Sequence, residues 1–218
     1  MQTTLAVPRV KPRLRGVSHQ IAASVAAPAA LALVVSARSG RAATGAVVYG
    51  ASLFTLFLVS AVYHRPFWRP RIRDYIGRLA HSAIFLLVAG TYTPFGLLLG
   101  PGAGHSVLIA VWTGAGLGIV LALLWGNPPK PLMAGIYVLL GWVIVPVFPQ
   151  LQAAIGTGAL LLLLVGGLFY TVGAVVYATR RPDPVPAVFG FHEVFHVLVI
   201  AAAACHFVVV EAAIRALG

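Results

Sequence analysis

The chain has 218 residues, of which 60% are hydrophobic and only 9% are charged, and its mean hydropathy is +0.96. A soluble domain of this length does not need so apolar a composition to build a core, so the sequence predicts an integral membrane protein. The formal net charge is +11, but a nucleic-acid site would need a soluble basic face, and the sequence offers none. We therefore expect no nucleic-acid partner.

Seven mostly apolar stretches follow one another along the chain, and each is near the roughly 20 residues that a helix needs to cross the hydrocarbon core. We predict helices over residues 16–37, 42–64, 78–99, 105–125, 132–150, 153–178 and 192–214. Glycine- and proline-rich turns separate them, as at Gly100-Pro101-Gly102 and Asn127-Pro128-Pro129. The predicted fold class is an all-α integral membrane protein, a seven-transmembrane helix bundle.

Residues 1–15 form a polar, basic N-terminal segment, and residues 16–218 form a single transmembrane domain. The apolar stretch after residue 15 has no convincing cleavage site, so we expect it to be an uncleaved first span. The single cysteine, Cys205, excludes an intramolecular disulfide and any metal motif built from several cysteines.

The basic residues are distributed unevenly between the two sides of this layout. Twelve of the fifteen lie on the side of the N-terminus: Arg9, Lys11, Arg13, Arg15, Arg65, Arg69, Arg71, Arg73, Arg78, Lys130, Arg180 and Arg181. The remaining three, Arg38, Arg41 and Arg215, lie on the other side. The positive-inside rule therefore predicts a cytoplasmic N-terminus and a C-terminus outside, with the cations in contact with anionic membrane lipid.

Three histidines are predicted at the same end of the bundle. His64 ends the second helix, because Pro66 disfavours helical geometry at the residue before it, and His192 and His196 open the seventh. The i, i+4 spacing places the last two on one helical face, about 6 Å apart along the axis. Histidine nitrogen is a good zinc donor, and three protein ligands with one open position are typical of catalytic zinc. The sequence therefore predicts Zn²⁺ bound by these three residues. Ser60 lies one turn deeper on the face of His64, so we expect its hydroxyl in the same cavity.

The other histidines have simpler interpretations. We expect His19 and His105 to be interfacial or hydrogen-bonded residues, and His206 to be a packing or relay residue, because it lies about 15 Å deeper than His196. The segment 192–196 also fits the HExxH pattern of zinc proteases, in which the glutamate is the general base. A membrane span continues directly from it and leaves no place for a peptide cleft, which disfavours a protease.

Several of these motifs together resemble the hemolysin III family, within the progestin and adipoQ receptor superfamily. They are Ser60-x-x-x-His64, the third-helix segment 81–95 that begins His81-Ser82, and the segment 192–196 followed by Cys205-His206. The resemblance runs from Arg15 to the last helix. It implies seven helices, a cytoplasmic N-terminus, a bacterial inner-membrane location and a zinc ion near the cytoplasmic face. Alkaline ceramidases are related to this superfamily, so the resemblance implies hydrolysis of a lipid amide or similar bond, with an acyl chain inside the bundle.

One position departs from the family pattern. The residue before the third-helix histidine is normally an aspartate in this family, and here it is Ala80. A carboxylate at that position could orient a water molecule or accept its proton, and alanine can do neither. Either the chain is a natural or engineered variant with impaired chemistry, or Ser60, His81 or Glu193 substitutes. We expect weak or absent turnover.

The same residues bear on several competing functions. A non-enzymatic membrane receptor or membrane-homeostasis factor with a structural zinc is the main alternative, and Ala80 favours it. A haem carrier is disfavoured, because two histidines on one helix face suit a single small ion. A retinal protein is excluded, because neither lysine, Lys11 or Lys130, lies in the seventh span. Nothing in the sequence is typical of a pore-forming toxin, and it does not define an oligomeric state.

Overall fold

The structure, a computed structural model, describes residues 11–125 and 128–218, and every regular element in these residues is helical apart from one isolated bridge between Val185 and Phe189. The helices are α1 (Val17–Ser36), α2 (Gly40–His64), α3 (Pro70–Leu99), α4 (Ala103–Leu124), α5 (Lys130–Gly141), α6 (Phe148–Thr179) and α7 (Phe191–Leu217). A short 3₁₀ turn, Val145–Val147, lies between α5 and α6. Arg9 and Asn127, used above for orientation and for a turn, lie outside the described residues.

Within residues 11–125 and 128–218, six segments are long and apolar enough to cross a membrane. They are α1, α2, α3, α4, α7 and the stretch Lys130–Thr179. The prediction of a multi-pass helical membrane protein is therefore confirmed. Large apolar side chains such as Val35, Ile109 and Leu124 are exposed on its surface, as expected where lipid rather than water surrounds the helices.

Two predicted boundaries differ from the structure. The third helix begins at Pro70 rather than at Arg78, because proline is well placed in a first helical turn and an arginine-rich turn can be helical without being apolar. The predicted fifth helix, 132–150, is wrong at residues 142–147. It ends at Gly141, and α6 begins at Phe148. Pro146 lies between them and removes a backbone donor that a continuous helix would need.

The chain reverses direction within Lys130–Thr179. The indole Nε1 of Trp142 donates to Thr171 Oγ1 at 3.1 Å, and Lys130 Nζ lies 4.7 Å from the centroid of the Tyr177 ring. Trp142 and Thr171 are 29 residues apart, and one straight helix would separate them by about 43 Å. α5 is therefore antiparallel to the part of α6 that follows Gly156, where a φ of 81° and a ψ of 163° interrupt the helix.

The buried side chain of Tyr92 on α3 stabilises the break between α5 and α6. Its hydroxyl donates to the carbonyl oxygen of Gly141 at 2.7 Å and accepts from the amide of Ile144 at 3.0 Å. Both backbone groups lose their helical partners where α5 ends, so they need a substitute away from water. One hydroxyl on a neighbouring helix supplies it.

The helices pack in sequence, α1 on α2, α2 on α3, α3 on α4, α5 on α6, and α6 on α7. In addition, α7 contacts α1, α2 and α3, which closes the bundle. The approach of α2 to α3 is close at Gly90, where an added Cβ would lie 2.7 Å from the Cβ of Ser52. This closure brings the end of α2 next to the beginning of α7.

Candidate metal centre

The three predicted ligands lie together at that junction. His64 is the last residue of α2, and α7 begins at Phe191 after the N-cap Gly190. The Nε2 atoms of His64 and His192 are 2.9 Å apart, and the ring centroids of His192 and His196 are 4.5 Å apart. One nitrogen from each of the three rings lies within 4.8 Å of the other two. Residues separated by 128 positions in the chain thus form one cluster.

The cluster fits a small transition-metal ion. Two nitrogens bound tetrahedrally at 2.0–2.1 Å would be about 3.4 Å apart, and the observed separations, from 2.9 Å to at most 4.8 Å, bracket that distance. His192 and His196 are buried and His64 is half-buried. Buried imidazoles are good neutral donors for such an ion. Without an ion, neighbouring buried rings have few other partners. The Nδ1 of His196 is buried and has no hydrogen-bond partner in the described part of the chain.

A fourth histidine, His19 of α1, borders the cluster. Its ring is stacked on that of His196, with centroids 3.7 Å apart and an interplanar angle of 9°. Its Nδ1 lies 2.7 Å from Ser60 Oγ, within hydrogen-bonding distance. Ser60 therefore lies next to His19, the residue that borders the histidine cluster. The sequence predicted a hydrogen-bonded histidine at position 19 but not its position beside the three histidines. The available signal was that His19 lies in the first turn of α1, at the same end of the bundle.

Glu193 is buried, and both of its carboxylate oxygens have partners. Oε1 is 2.5 Å from Nε of Arg15, and Oε2 accepts from the amide of Gly190 at 2.9 Å. The carboxylate thus caps the first turn of α7 and forms an ion pair with the segment before α1. It is not a member of the histidine group. Sequence reasoning counted Arg15 only as a cation of the cytoplasmic side, and no local pattern links it to a residue 178 positions away.

The surroundings of this end of the bundle are strongly basic. Burial, followed by the charges of Arg65, Arg15 and Arg73, lowers the pKa of Lys11 from its ordinary value. The positive potential would favour an anionic group at the mouth of the metal centre.

Comparison with known families shows which proteins this chain is similar to. The model of haemolysin-III related proteins matches residues 8–207. The chain belongs to the haemolysin III-related family. It is 33% identical over 196 residues to hemolysin-3 of Bacillus cereus, covering 88% of this chain and 86% of that protein. It is 28% identical over 166 residues to the human monocyte to macrophage differentiation factor, covering 73% of this chain and 66% of that protein.

A more distant similarity extends to the wider superfamily. The chain is 30% identical over 150 residues to the adiponectin receptor protein of Drosophila melanogaster, covering 60% of this chain and 33% of that protein. The resemblance to the hemolysin III family and its superfamily, expected from the motifs, is confirmed.

Ala80 and His81 of this haemolysin III-related chain lie on α3. One turn before Ala80, Gly77 is close to α2, because an added Cβ there would lie 3.2 Å from the ring of Tyr63. The Tyr63 ring in turn packs against that of His64, with centroids 4.6 Å apart. Ala80 is half-buried and lies on the same side of α3, one turn later. His81 is not a member of the histidine group, and its backbone carbonyl accepts from the hydroxyl of Tyr137 on α5 at 3.3 Å.

Proposed function

We propose that this protein is a zinc-binding membrane protein in which His64, His192 and His196 hold Zn²⁺ between α2 and α7. The observation that carries the proposal is the convergence of these three imidazoles, with one nitrogen of each within 4.8 Å of the others. Zinc is the natural ion for such a set, because it takes nitrogen donors in four-coordinate geometry and leaves one position open when the protein supplies three.

The same proposal includes seven spans, with the N-terminus in the cytoplasm and the C-terminus outside. The 50 residues of Lys130–Thr179 would form a straight helix of about 75 Å, far longer than the hydrocarbon core of about 30 Å. The antiparallel contacts of α5 and α6 favour two crossings instead. An odd number of crossings separates the termini, and the excess of cations beside the metal centre favours the cytoplasm for that side.

We further propose that the scaffold is that of a lipid amide or ester hydrolase with weak or absent turnover, whose substrate would be a membrane lipid with an acyl chain. Bound zinc supplies Lewis-acid polarisation of a carbonyl and lowers the pKa of a bound water to about 7. The chain itself offers the hydroxyl of Ser60, oriented by Nδ1 of His19 at 2.7 Å. It also offers His81, one residue after the position of the missing acid.

The acids of the chain support weak turnover. There are only four, and three have partners elsewhere. Glu193 is bound to Arg15 and Gly190, Asp183 accepts from the amide of Phe191, and Glu211 pairs with Arg215. Asp74 is exposed in the first turns of α3. With Ala80 at the position of the expected aspartate, no carboxylate in the described residues belongs to the group formed by the three histidines.

The same observation favours a second candidate function, a structural zinc in a non-enzymatic receptor or membrane-homeostasis factor. In that case the ion would join α2 to α7, and no hydrolysis would follow. The two candidates share the metal site and differ only in turnover.

Metal analysis tests the shared part. We expect about one zinc per chain in protein purified without chelator, and loss of that zinc when His192 and His196 are both replaced by alanine. His105→Ala is the control, because this histidine is exposed and lies on α4. Wild-type protein that is well folded and free of metal would rule out the site.

Restoring the carboxylate separates the two candidates. Ala80→Asp should leave the zinc content unchanged and raise the hydrolysis of lipid amides or esters by about 10²-fold or more, the size expected for positioned acid–base help. Ala80→Asn has the same shape without the charge and should not do so. If Ala80→Asp binds zinc fully, folds normally and hydrolyses no ceramide, acyl amide, phospholipid or simple ester, the hydrolase proposal is abandoned in favour of the structural zinc.

A further inference from the structure

The metal ligands lie on two helices that pack mainly against other partners. α2 packs mostly on α1 and α3, whereas α7 packs mostly on α6. The end of α2, which carries His64, and the first turn of α7, which carries His192, are joined by a separate piece of chain. That piece is residues 11–16, the segment before α1, which we call the strap.

On one side, the strap is bound to the first turn of α7 and to the loop before it. The amide of Arg13 donates to the carbonyl of Ala187 at 3.0 Å, and the amide of Leu14 donates to the carbonyl of Val188 at 3.1 Å. The ion pair of Arg15 with Glu193 follows at 2.5 Å, with side chains that are 20% and 2% exposed. A carboxylate this deeply buried depends on its cation, because removal of one partner leaves an uncompensated charge.

On the other side, the strap is bound to the end of α2. Nζ of Lys11 donates to the carbonyl of Arg65 at 2.8 Å and lies 4.6 Å from the centroid of the Phe67 ring. Gly16, with φ of 79°, packs directly against His64, since an added Cβ would lie 2.6 Å from the Cβ of that ligand. Only glycine satisfies both the backbone conformation and the contact.

We propose that the strap, residues 11–16, holds the metal centre closed by tying the end of α2 to the start of α7, and that Arg15 and Glu193 are positioning residues that set how fast the metal exchanges. This inference rests on the proposed metal site. Release of an ion held between two helices requires their ligands to separate. That separation must break the contacts of the strap on one side or the other, including the buried ion pair.

The rate of metal release tests the strap. Zinc-loaded full-length protein in detergent is mixed with excess chelator, and release is followed with time. Arg15→Met should begin with the same zinc per chain as the wild type and lose it about tenfold faster or more, because Glu193 is left buried without its cation. Arg13→Met is the matched control, since Arg13 is exposed, lies in the same segment and keeps its backbone bond. If Arg15→Met does not fold, Lys11→Met at the opposite end of the strap should still accelerate release about two- to threefold.

Limited trypsin digestion gives a readout that does not depend on the metal. In the wild type, we expect the bonds after Arg13 and Arg15 to be cut slowly, because the strap is bound to α7. Glu193→Gln retains both cleavage sites and should be cut there several times faster. Glu211→Gln, which affects an exposed pair near the other end of the same helix, should behave as the wild type.

The outcomes separate the strap from the metal site. Wild-type protein that holds zinc, together with Arg15→Met and Lys11→Met variants that release it at the rate of Arg13→Met, overturns the strap and leaves the proposed site intact. If the wild-type protein contains no metal, the proposed function is overturned. The role of the strap in metal exchange is then overturned as well. Equal cleavage of wild type and Glu193→Gln shows that the strap is not held by the ion pair and also overturns the inference.

Discussion

Replacing Tyr92 by phenylalanine tests the break between α5 and α6, on which the path of the chain depends. The substitution keeps the ring and removes only the hydroxyl. That hydroxyl donates to Gly141 and accepts from the amide of Ile144, and both groups lie where no helical partner is available. Tyr92→Phe therefore leaves one backbone acceptor and one backbone donor without a partner.

The size of the effect follows from the surroundings of these two groups. Each buried polar group left unsatisfied costs about 1–3 kcal/mol. Tyr92, Gly141 and Ile144 line a cavity of about 40 Å³, and about 10–15 Å³ is enough for a water molecule. Water can therefore take part of the role of the lost hydroxyl, which puts the expected destabilisation at the low end, about 2 kcal/mol in total. For a protein of this size, that corresponds to a fall in Tm of about 4–8 °C.

Thermal unfolding in one detergent measures the change in Tm, and hydrogen exchange reports on the amide of Ile144. We expect a lower Tm, faster exchange at that amide and an unchanged metal content, because Tyr92 does not contact the histidine cluster. Tyr75→Phe is the control, since Tyr75 is 61% exposed. A Tm within about 1 °C of the wild type, with full protection of the Ile144 amide, would show that the hydroxyl does not stabilise the break.

Three further predictions concern orientation, helix packing and the fourth histidine. A reporter at the C-terminus should lie outside the cytoplasm and one in the 65–73 loop inside it; the reverse pattern would contradict the proposed orientation. Gly90→Ala should lower the stability by about 1–3 kcal/mol, because the added methyl would overlap α2. Gly116→Ala is the control; its methyl enters open space, so the change should be neutral or stabilising. Equal unfolding midpoints for the two variants would refute the close contact. His19→Phe keeps an aromatic ring beside the cluster but loses the hydrogen bond to Ser60. The visible spectrum of the Co²⁺-loaded protein should therefore change while its metal content does not. An identical spectrum would argue against a position of His19 and Ser60 beside the metal.

The sequence predicted the features that depend on local properties of the chain. Hydropathy averaged over about 20 residues decides which segments enter the membrane, so most of the helices could be located directly. The end of α2 at His64 followed from Pro66, and the pairing of His192 with His196 followed from helical spacing. Hydropathy and charge also gave the depth of each histidine, which is why the proximity of the three, seen in the structure, could be predicted. The zinc itself stays a prediction.

Tertiary structure decided which helices are neighbours at a given depth. Hydropathy and charge assign a residue to a level in the bilayer but carry no information on lateral position, which depends on close contacts such as that of Gly90 with Ser52. The stacking of His19 on His196 and the ion pair of Arg15 with Glu193 therefore could not be read from the sequence. The end of α5 at Gly141 was missed as well, because the apolar character continues through residues 142–147. The hydroxyl of a distant tyrosine supplies hydrogen bonds to Gly141 and Ile144 that help the backbone to leave the helix there.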